Sequence, residues 1–344
     1  MSTALAESAI APEAIAPESV QPESVQPEAV NPIEPKRGEA PEPQRFCTLP
    51  NGLEIGCQSA KETEHIYDDI FAHRVYLSGG ITLWDGATVF DIGGNIGMFT
   101  VFLHQTYRNI KSYTFEPAPP LFDILHYNTA QHAGGGTCKL FNCGVSDTYK
   151  VANLTFYPYS SGMSSFYGDQ EEEKDVLRII LANQEEAGDN EADGLATSEE
   201  FLDARFTEVN FECPLVPLEQ IIRQEGVETI DLMKIDVQKS ELDVLRGLGE
   251  DDWGKVRQIA MEVHDLDGEL AIVQDLLAKH DFNVVVEQDP LYIGSVMYNL
   301  FAVRKNLYQE LAGGAPKSAA KAPRTQQQKR GKKAFARFRK QKKG

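Results

Sequence analysis

An acidic residue and a glycine-rich turn follow one another in VFDIGGNIGMF, residues 89–99. An apolar run ends at Asp91, and Gly93, Asn95 and Gly97 follow at alternate positions before a helical pattern begins. Glycine lets a backbone approach a ligand without an intervening Cβ, and nucleotide-binding folds hold their ligand in the first strand-to-helix crevice. The spacing differs from the dinucleotide pattern G-x-G-x-x-G, because no glycine precedes Gly93 by two residues. The segment therefore predicts a ligand site of another kind.

A second acidic residue, Glu116, ends the next apolar run in YTFEP, 25 residues after Asp91. A carboxylate at a strand end can accept hydrogen bonds from both ribose hydroxyls of an adenosine ligand. NAD would accept the same acid, but the glycine spacing favours S-adenosylmethionine (SAM), which has no phosphate and whose cationic amino-acid end needs a nearby carboxylate. We therefore predict SAM as the cofactor; an exposed capping role is the alternative for Glu116.

Four side chains that can do chemistry stand in the later runs IDLMKID and QIAMEVH: Lys234, Asp236, Glu262 and His264. If these runs are neighbouring strands, their ends meet at one pocket. Methyl transfer to an alcohol needs aligned reactants and a base for the hydroxyl proton. We predict His264 as that base, because its unperturbed pKa lies near neutrality. Asp236 is predicted to orient His264, to bind the acceptor or to act as the base itself.

Two further interpretations concern the same side chains. Lys234 lies inside an apparently buried strand, so we expect it to pair with an acid such as Glu262, because an unpaired buried ammonium is costly. A purely structural histidine is the alternative reading of His264. Asp236, Glu262 and His264 offer the mixed oxygen and nitrogen ligands of a divalent metal site, but we predict no metal.

Seven apolar runs alternate with helical patterns in the centre of the chain. They are residues 87–93, 112–117, 138–144, 229–236, 258–264, 283–288 and 299–304. This alternation is typical of a doubly wound α/β sheet. The last run follows its predecessor through a loop with no room for a crossover helix, so we predict that it is antiparallel to its neighbour. The sequence of residues 151–167 predicts a hairpin. Residues 169–210 form an acidic insertion in which VLRIILANQ predicts one helix, and the insertion is interpreted as either a lid or a solvated loop.

The two ends of the chain differ from its centre in composition. Proline recurs every five positions from residue 12 to residue 32, which predicts a disordered Pro/Glu leader over residues 1–45. We predict a catalytic domain over 46–310 and a basic disordered tail over 311–344. Residues 317–344 hold 12 of the 33 Lys and Arg residues and none of the 52 acids, so the remainder carries a net charge of −31. Nucleic acid is therefore unlikely at the active site, whereas the tail could dock an acidic partner.

Cysteine usage and hydropathy bear on the compartment. The five cysteines are odd in number and scattered, which predicts reduced thiols without disulfides or a zinc site. No apolar run reaches the roughly 18 residues needed to span a bilayer, and the N-terminus lacks the pattern of a secretory signal. We predict a cytoplasmic protein without a membrane span.

The motifs together resemble the FkbM family of SAM-dependent methyltransferases. DIGGNIG, YTFEP, IDLMKIDVQKSELDVLRG and MEVH stand in the family's order, as do LPNGLEI and ETEHIYDDIF upstream, and the resemblance covers about residues 48–305. With LTFYP and DPLYIGSVMYNLFAVR, the chain is most similar to FkbM-type domains embedded in nonribosomal peptide synthetases. The resemblance implies a Rossmann-like, seven-stranded class I SAM-methyltransferase fold and methyl transfer, usually to oxygen, on a sugar, peptide or polyketide.

The resemblance also implies roles for individual residues. The methionine end of SAM would be lined by Asp91, Gly93, Asn95 and Gly97, and Glu116 would hold the ribose. The adenine would be flanked by Val145 and Ser146 in the turn 144–147. The cofactor would be covered by Glu64 and Tyr67. The family commonly has D-V-E-G-x-E where this chain has DVQKSE, with Gln238 and Lys239 in place of the acid and the glycine. The predicted function is O-methylation of a small molecule. N-methylation, a protein or carrier-tethered acceptor, and a non-catalytic scaffold are the alternatives.

Overall fold

The computed structural model describes residues 29–186 and 198–307. Its strands are β1 (Phe46–Thr48), β2 (Glu54–Gly56), β3 (Thr88–Ile92), β4 (Lys111–Phe115), β5 (Thr137–Phe141), β6 (Gly144–Val145), β7 (Lys150–Phe156), β8 (Val209–Val216), β9 (Leu232–Ile235), β10 (Gln258–His264), β11 (Phe282–Glu287) and β12 (Met297–Arg304). Its α-helices are α1 (Ala60–Tyr67), α2 (Met98–Thr106), α3 (Pro119–His132), α4 (Gln170–Glu186), α5 (Glu199–Arg205), α6 (Leu218–Glu225), α7 (Glu241–Arg246) and α8 (Glu269–Lys279).

A seven-stranded sheet forms the centre of the domain, in the order β11-β12-β10-β9-β3-β4-β5. Strand β12 is antiparallel to both of its neighbours, and the other neighbouring strands are parallel. The predicted α/β fold with an antiparallel last strand is therefore confirmed. Because β9, β3 and β4 run in the same direction, their carboxyl ends meet at one edge of the sheet, where ligands of open α/β sheets bind.

Both faces of the sheet are covered, which explains why its central strands read as continuous apolar runs. Phe90 and Ile92 of β3 belong to one buried cluster, together with Met233 of β9. Val89 and Leu232, their neighbours on the same two strands, belong to the cluster on the opposite face. The alternation follows the two-residue period of a strand.

A smaller sheet, in the order β6-β8-β7, lies beside the central one. It differs from the hairpin predicted at 151–167, because β7 pairs along its length with β8, which begins 53 residues after β7 ends. The second strand of the predicted hairpin is represented only by an isolated antiparallel bridge between Thr155 and Ser165. The helix predicted at VLRIILANQ lies within α4, whereas α5 and β8 were not predicted from the insertion.

Residues 29–45 lie against the domain, which differs from the solvated spacer expected through residue 45. Ile33 and Leu140 of β5 exchange backbone hydrogen bonds of 2.8 and 2.9 Å, and the Arg37 guanidinium donates to the carbonyl of Gln131 at 2.9 Å. The earlier repeats at 1–28 and the predicted tail at 311–344 lie outside the described residues. In the part of the chain that is described, no helix is long and apolar enough to cross a membrane.

The expectation that all five cysteines are reduced was wrong for two of them. Cys47 and Cys57 form a disulfide, because the antiparallel pair β1–β2 brings their Cα atoms to 6.2 Å, within the usual range for such a bond. Cys138, Cys143 and Cys213 are free and buried. The cytoplasmic location stays a prediction, and the argument from free thiols no longer supports it.

Candidate active site

A cavity opens at the carboxyl ends of β3, β4 and β9. Six of the predicted site residues line it: Gly93, Asn95, Glu116, Val145, Lys234 and Asp236. Seven others do not line it: Asp91, Gly97, Ser146, Glu64, Tyr67, Glu262 and His264. The structure therefore brings together the strand-end residues and places the remaining candidates behind or beside them.

The turn after β3 needs glycine for a reason internal to the fold. Gly93 has a φ of +81°, and a Cβ there would come within 1.8 Å of the carbonyl oxygen of Asp236, at the end of the neighbouring strand. Gly97 has a φ of +84° and precedes the first turn of α2, and a Cβ there would lie 3.3 Å from Leu125. Both glycines therefore permit close packing of the chain, and Gly93 also borders the cavity.

Asp91 and Lys234 form a buried ion pair across β3 and β9, with the carboxylate 3.3 Å from the ammonium. The two residues stand opposite each other in the strand register. The predicted partner Glu262 was therefore wrong: on the other side, Lys234 pairs in register with Ala260, two residues before Glu262. Lys234 also donates to the carbonyl of Gly93, so it fixes the turn that borders the cavity.

Glu116 is buried at the end of β4 and faces the cavity. One of its carboxylate oxygens accepts from the backbone N–H of Asn95 at 2.8 Å and the other from that of Ala118 at 2.9 Å. Burial raises the pKa of Glu116 to about 7, against the lowering effect of these two amides. Each oxygen keeps a further lone pair, so the carboxyl can also accept from hydroxyl donors within the cavity.

Asp236 lies at the centre of a polar cluster at the end of β9. It accepts a hydrogen bond of 2.7 Å from the Tyr76 hydroxyl and one of 3.1 Å from the Gln238 amide, and the Lys234 ammonium is 3.9 Å away. Burial, and then the charge of Asp236, raises the pKa of Tyr76 well above its usual range, so the phenol stays a donor. Asp236 is therefore held as an oriented carboxylate on the cavity wall.

Glu262 lies next to this cluster and shares a hydrogen-bond donor with Asp236. The Gln238 amide donates to it at 3.0 Å, while donating to Asp236 as well. Burial, followed by the charge of Asp236, raises the pKa of Glu262 to about 8. The nearby charge of Asp236 thus favours the neutral form of the Glu262 carboxyl.

His264 is buried and pairs with Glu241, not with Asp236 as expected. Its Nδ1 lies 3.0 Å from the Glu241 carboxylate. Burial alone would lower the pKa of His264, but the charge and hydrogen bond of Glu241 outweigh it and raise the pKa to about 9. His264 is therefore protonated at neutral pH, which differs from the neutral base expected from its residue type.

The upstream helix α1 presents a different face from the one predicted. Glu64 is exposed, and Tyr67 stacks on Phe71 with ring centroids 4.9 Å apart. Glu62 instead accepts hydrogen bonds from the Ser161 hydroxyl at 2.9 Å and the Gly162 amide at 2.7 Å. Because Glu62 lies one helical turn before Ile66, which lines the cavity, this contact fastens α1 over the opening.

The turn predicted to flank an adenine contributes one residue to the cavity. Val145 lines it, whereas Ser146 is buried beside it and donates its hydroxyl to Asp147 at 3.0 Å. The Ser146 amide donates to Val216 of β8, so the unpredicted small sheet holds this turn in place.

Three residues of the site carried no signal that we used. Tyr76 lies within a single 3-10 turn, residues 75–77, and its hydroxyl reaches Asp236 across 160 positions. Glu62 lay within the recognised segment ETEHIYDDIF, but its helical face was misjudged. Glu241 begins α7, and its lack of exposure could have been inferred from the apolar residues at spacings of three and four around it.

The fold and the site define a methyltransferase, and the chain belongs to the family described as the methyltransferase FkbM domain, whose model matches residues 91–286. The resemblance predicted from the motifs is confirmed. No cluster of three or more histidine, cysteine or acidic side chains able to hold a metal occurs among residues 29–186 and 198–307.

The chain is similar to several particular proteins. Over 256 residues the chain is 39% identical to the 31-O-demethyl-FK506 methyltransferase FkbM of Streptomyces tacrolimicus, a match that covers 74% of this chain and 95% of that protein. It is also 39% identical over 272 residues to the AMB antimetabolite synthetase AmbE of Pseudomonas aeruginosa, covering 77% of this chain but only 13% of the synthetase. The crystal structure of methyltransferase FkbM from Methylobacillus flagellatus KT is similar with a TM-score of 0.39 and 13% identity, over 69% of this chain and 47% of that one.

Proposed function

We propose that the chain transfers a methyl group from SAM to a hydroxyl oxygen of a small-molecule or natural-product acceptor. The observation that carries the proposal is the placement of two carboxyl groups, Glu116 and Asp236, on the wall of one cavity, at the ends of the strands that flank β3. The relative named for a 31-O-demethyl substrate supports oxygen as the methylated atom.

The residues of the cavity fit SAM at its adenosine half. Glu116 keeps acceptor capacity for ribose hydroxyls, and Val145 offers an apolar surface for the adenine. Asp91 is too enclosed to touch a ligand and instead acts through Lys234, which lines the cavity. When bound, SAM supplies a methyl group on a sulfonium, and alignment with the acceptor oxygen accounts for much of the acceleration.

Asp236 is the residue best placed to receive the acceptor's proton. It lines the cavity, and Tyr76 and Gln238 fix its orientation. In the proposed reaction the acceptor hydroxyl would donate to an Asp236 oxygen, which would take the proton while the hydroxyl oxygen gains the methyl group and the S–C bond of SAM breaks, leaving S-adenosylhomocysteine. We prefer Asp236 to His264 as the base, because the ring of His264 is already protonated, is paired with Glu241 and does not line the cavity.

Calorimetric titration tests the cofactor assignment directly. SAM and S-adenosylhomocysteine should each bind and should compete for one site. Glu116→Gln replaces one acceptor oxygen by a donor and should weaken both by roughly tenfold or more. Absence of heat with either ligand, or an unchanged affinity in the variant, would overturn the proposal.

A carrier-tethered acceptor is a second candidate, favoured by the match to part of a synthetase and by the 12 basic residues of the tail. A cationic tail can speed encounter with an acidic carrier. Deletion of residues 317–344 should then raise KM for a tethered acceptor and leave kcat for a free one unchanged. Mass spectrometry of the products distinguishes methylation at oxygen from methylation at nitrogen.

A further inference from the structure

We propose that Lys239 is a positioning residue that fixes helix α4 as the acceptor-side wall of the active site. This inference rests on the proposed methyl transfer, because it assigns a role within that site. It concerns the position at which the chain departs from the family's common glycine.

The backbone around Lys239 adopts a conformation that disfavours side chains. Gln238 has a φ of +53° and Lys239 a φ of +70°, both in the left-handed region. Two contacts hold this path: Ser165 donates its hydroxyl to the Gln238 carbonyl, and the Lys239 amide donates to Glu241 at 3.0 Å. Glycine would adopt the same conformation without strain, so a lysine here needs a compensating contact of its side chain.

The lysine side chain makes that contact with α4. Its ammonium lies 2.8 Å from a carboxylate oxygen of Glu172 and 2.8 Å from one of Glu173. The side chains of Lys239 and Glu173 are only 4% and 3% exposed, so water screens this pair far less than it would a surface pair. Removal of the lysine charge would leave Glu173 buried without its counter-ion.

The other end of α4 is fastened to a second loop. The Asn183 amide donates to the carbonyls of Leu291 at 2.8 Å and Ile293 at 3.0 Å, in the loop between β11 and β12. From Glu173 to Asn183 a helix rises about 15 Å, and three strand spacings from β9 to β11 span about 14 Å. Helix α4 therefore crosses the carboxyl end of the sheet between these two loops, above the end of β10.

Helix α4 lies apart from the cavity assigned to the cofactor. No residue of α4 lines the cavity assigned to SAM. The charge of His264, at the end of β10, acts on Glu173 and lowers its pKa against the larger effect of burial. The buried pair closes the gap between α4 and the loop 237–240, and residues of this loop on both sides of Lys239 line the cavity next to Asp236. Lys239 therefore sets where α4 stands relative to Asp236.

Hydrogen exchange of the full chain tests the proposal. Lys239→Met should accelerate exchange of the α4 amides by roughly tenfold or more, whereas Lys239→Arg, which can renew both pairs, should stay within about twofold of wild type. The control is Lys139→Met, which breaks a pair with Glu225 at the opposite edge of the sheet and should leave α4 unchanged. The affinity for S-adenosylhomocysteine should change by less than about twofold in all three variants.

A double substitution guards against a simple folding defect. Glu172→Gln with Glu173→Gln removes the same pairs from the helix side and should accelerate α4 exchange to the level of Lys239→Met. When it is combined with Lys239→Met, exchange should be no faster than in Lys239→Met alone. Exchange in Lys239→Met that matches wild type, or equal acceleration in Lys139→Met, would overturn the proposal. Failure of wild type to bind S-adenosylhomocysteine would instead refute the proposed function and would leave the exchange result to be judged on its own.

Discussion

Substitution of Lys234 by methionine should destabilise the protein strongly. The change keeps most of the side-chain volume but removes the ammonium that lies 3.3 Å from the fully buried carboxylate of Asp91. The Thr100 hydroxyl, at 2.8 Å, would remain as a neutral donor to Asp91. An uncompensated buried charge typically costs about 3–5 kcal/mol, which corresponds to a fall in Tm of roughly 6–20 °C for a domain of this size.

Thermal unfolding of Lys234→Met, Asp91→Asn and the double variant measures this coupling. Because Asp91→Asn removes the stranded charge, the double variant should be more stable than Lys234→Met alone, with a coupling of about 2 kcal/mol or more. Lys305→Met is the control, since its lysine and the partner Asp281 are 47% and 76% exposed and the pair should contribute at most about 1 kcal/mol. A fall in Tm no larger than that of the control, or strictly additive effects, would refute the reasoning.

Three further predictions concern ionisation and metal. Burial opposes protonation of His264, but the charge and hydrogen bond of Glu241 raise the pKa of His264 to about 9. The pairing therefore stabilises the protein fully below pH 6.5, and this stabilisation is lost as the pH rises through 9. His264→Gln should remove the resulting decline in Tm, and an unchanged pH profile would contradict the pairing. Burial raises the pKa of Glu262 to about 8, so the wild-type protein loses stability as the pH rises from 4.5 to 8. The free energy of unfolding of Glu262→Gln should therefore increase relative to that of wild type over this range. A difference between the two proteins that does not change with pH would contradict the raised pKa. Methyl transfer should continue in excess EDTA; loss of turnover that Mg²⁺ restores would show a metal requirement.

The fold was predictable because its signals are local. Each central strand reads as a short apolar run, and the loop before β12 is too short for a crossover, so the direction of that strand followed from chain length alone. The strand-end positions of Glu116 and Asp236 followed from the same pattern, since parallel strands end at one edge. Strand β8 was missed because it follows an acidic insertion that hides its pairing with β7.

Pairings within the site were less predictable, since they depend on register. Lys234 would stand opposite Glu262 only if β10 were shifted by two residues against β9, and nothing in the sequence specifies the register of these two strands. The contact of Tyr76 with Asp236 likewise joins segments that share no periodicity. The base role of His264 was predicted from the usual pKa of a histidine. In the structure the buried carboxylate of Glu241 keeps His264 protonated instead.

The hydrogen bonds between Ile33 and Leu140 have a consequence for solubility. Strand β5 is the last strand at its end of the sheet, and an open strand edge offers unpaired backbone groups to other molecules. Ile33 occupies part of this edge, and the neighbouring Lys139 adds a charge that is partly neutralised by Glu225. A shortened chain that begins at residue 46 would uncover the edge, and its tendency to self-associate would rise even though every residue of the active site is retained.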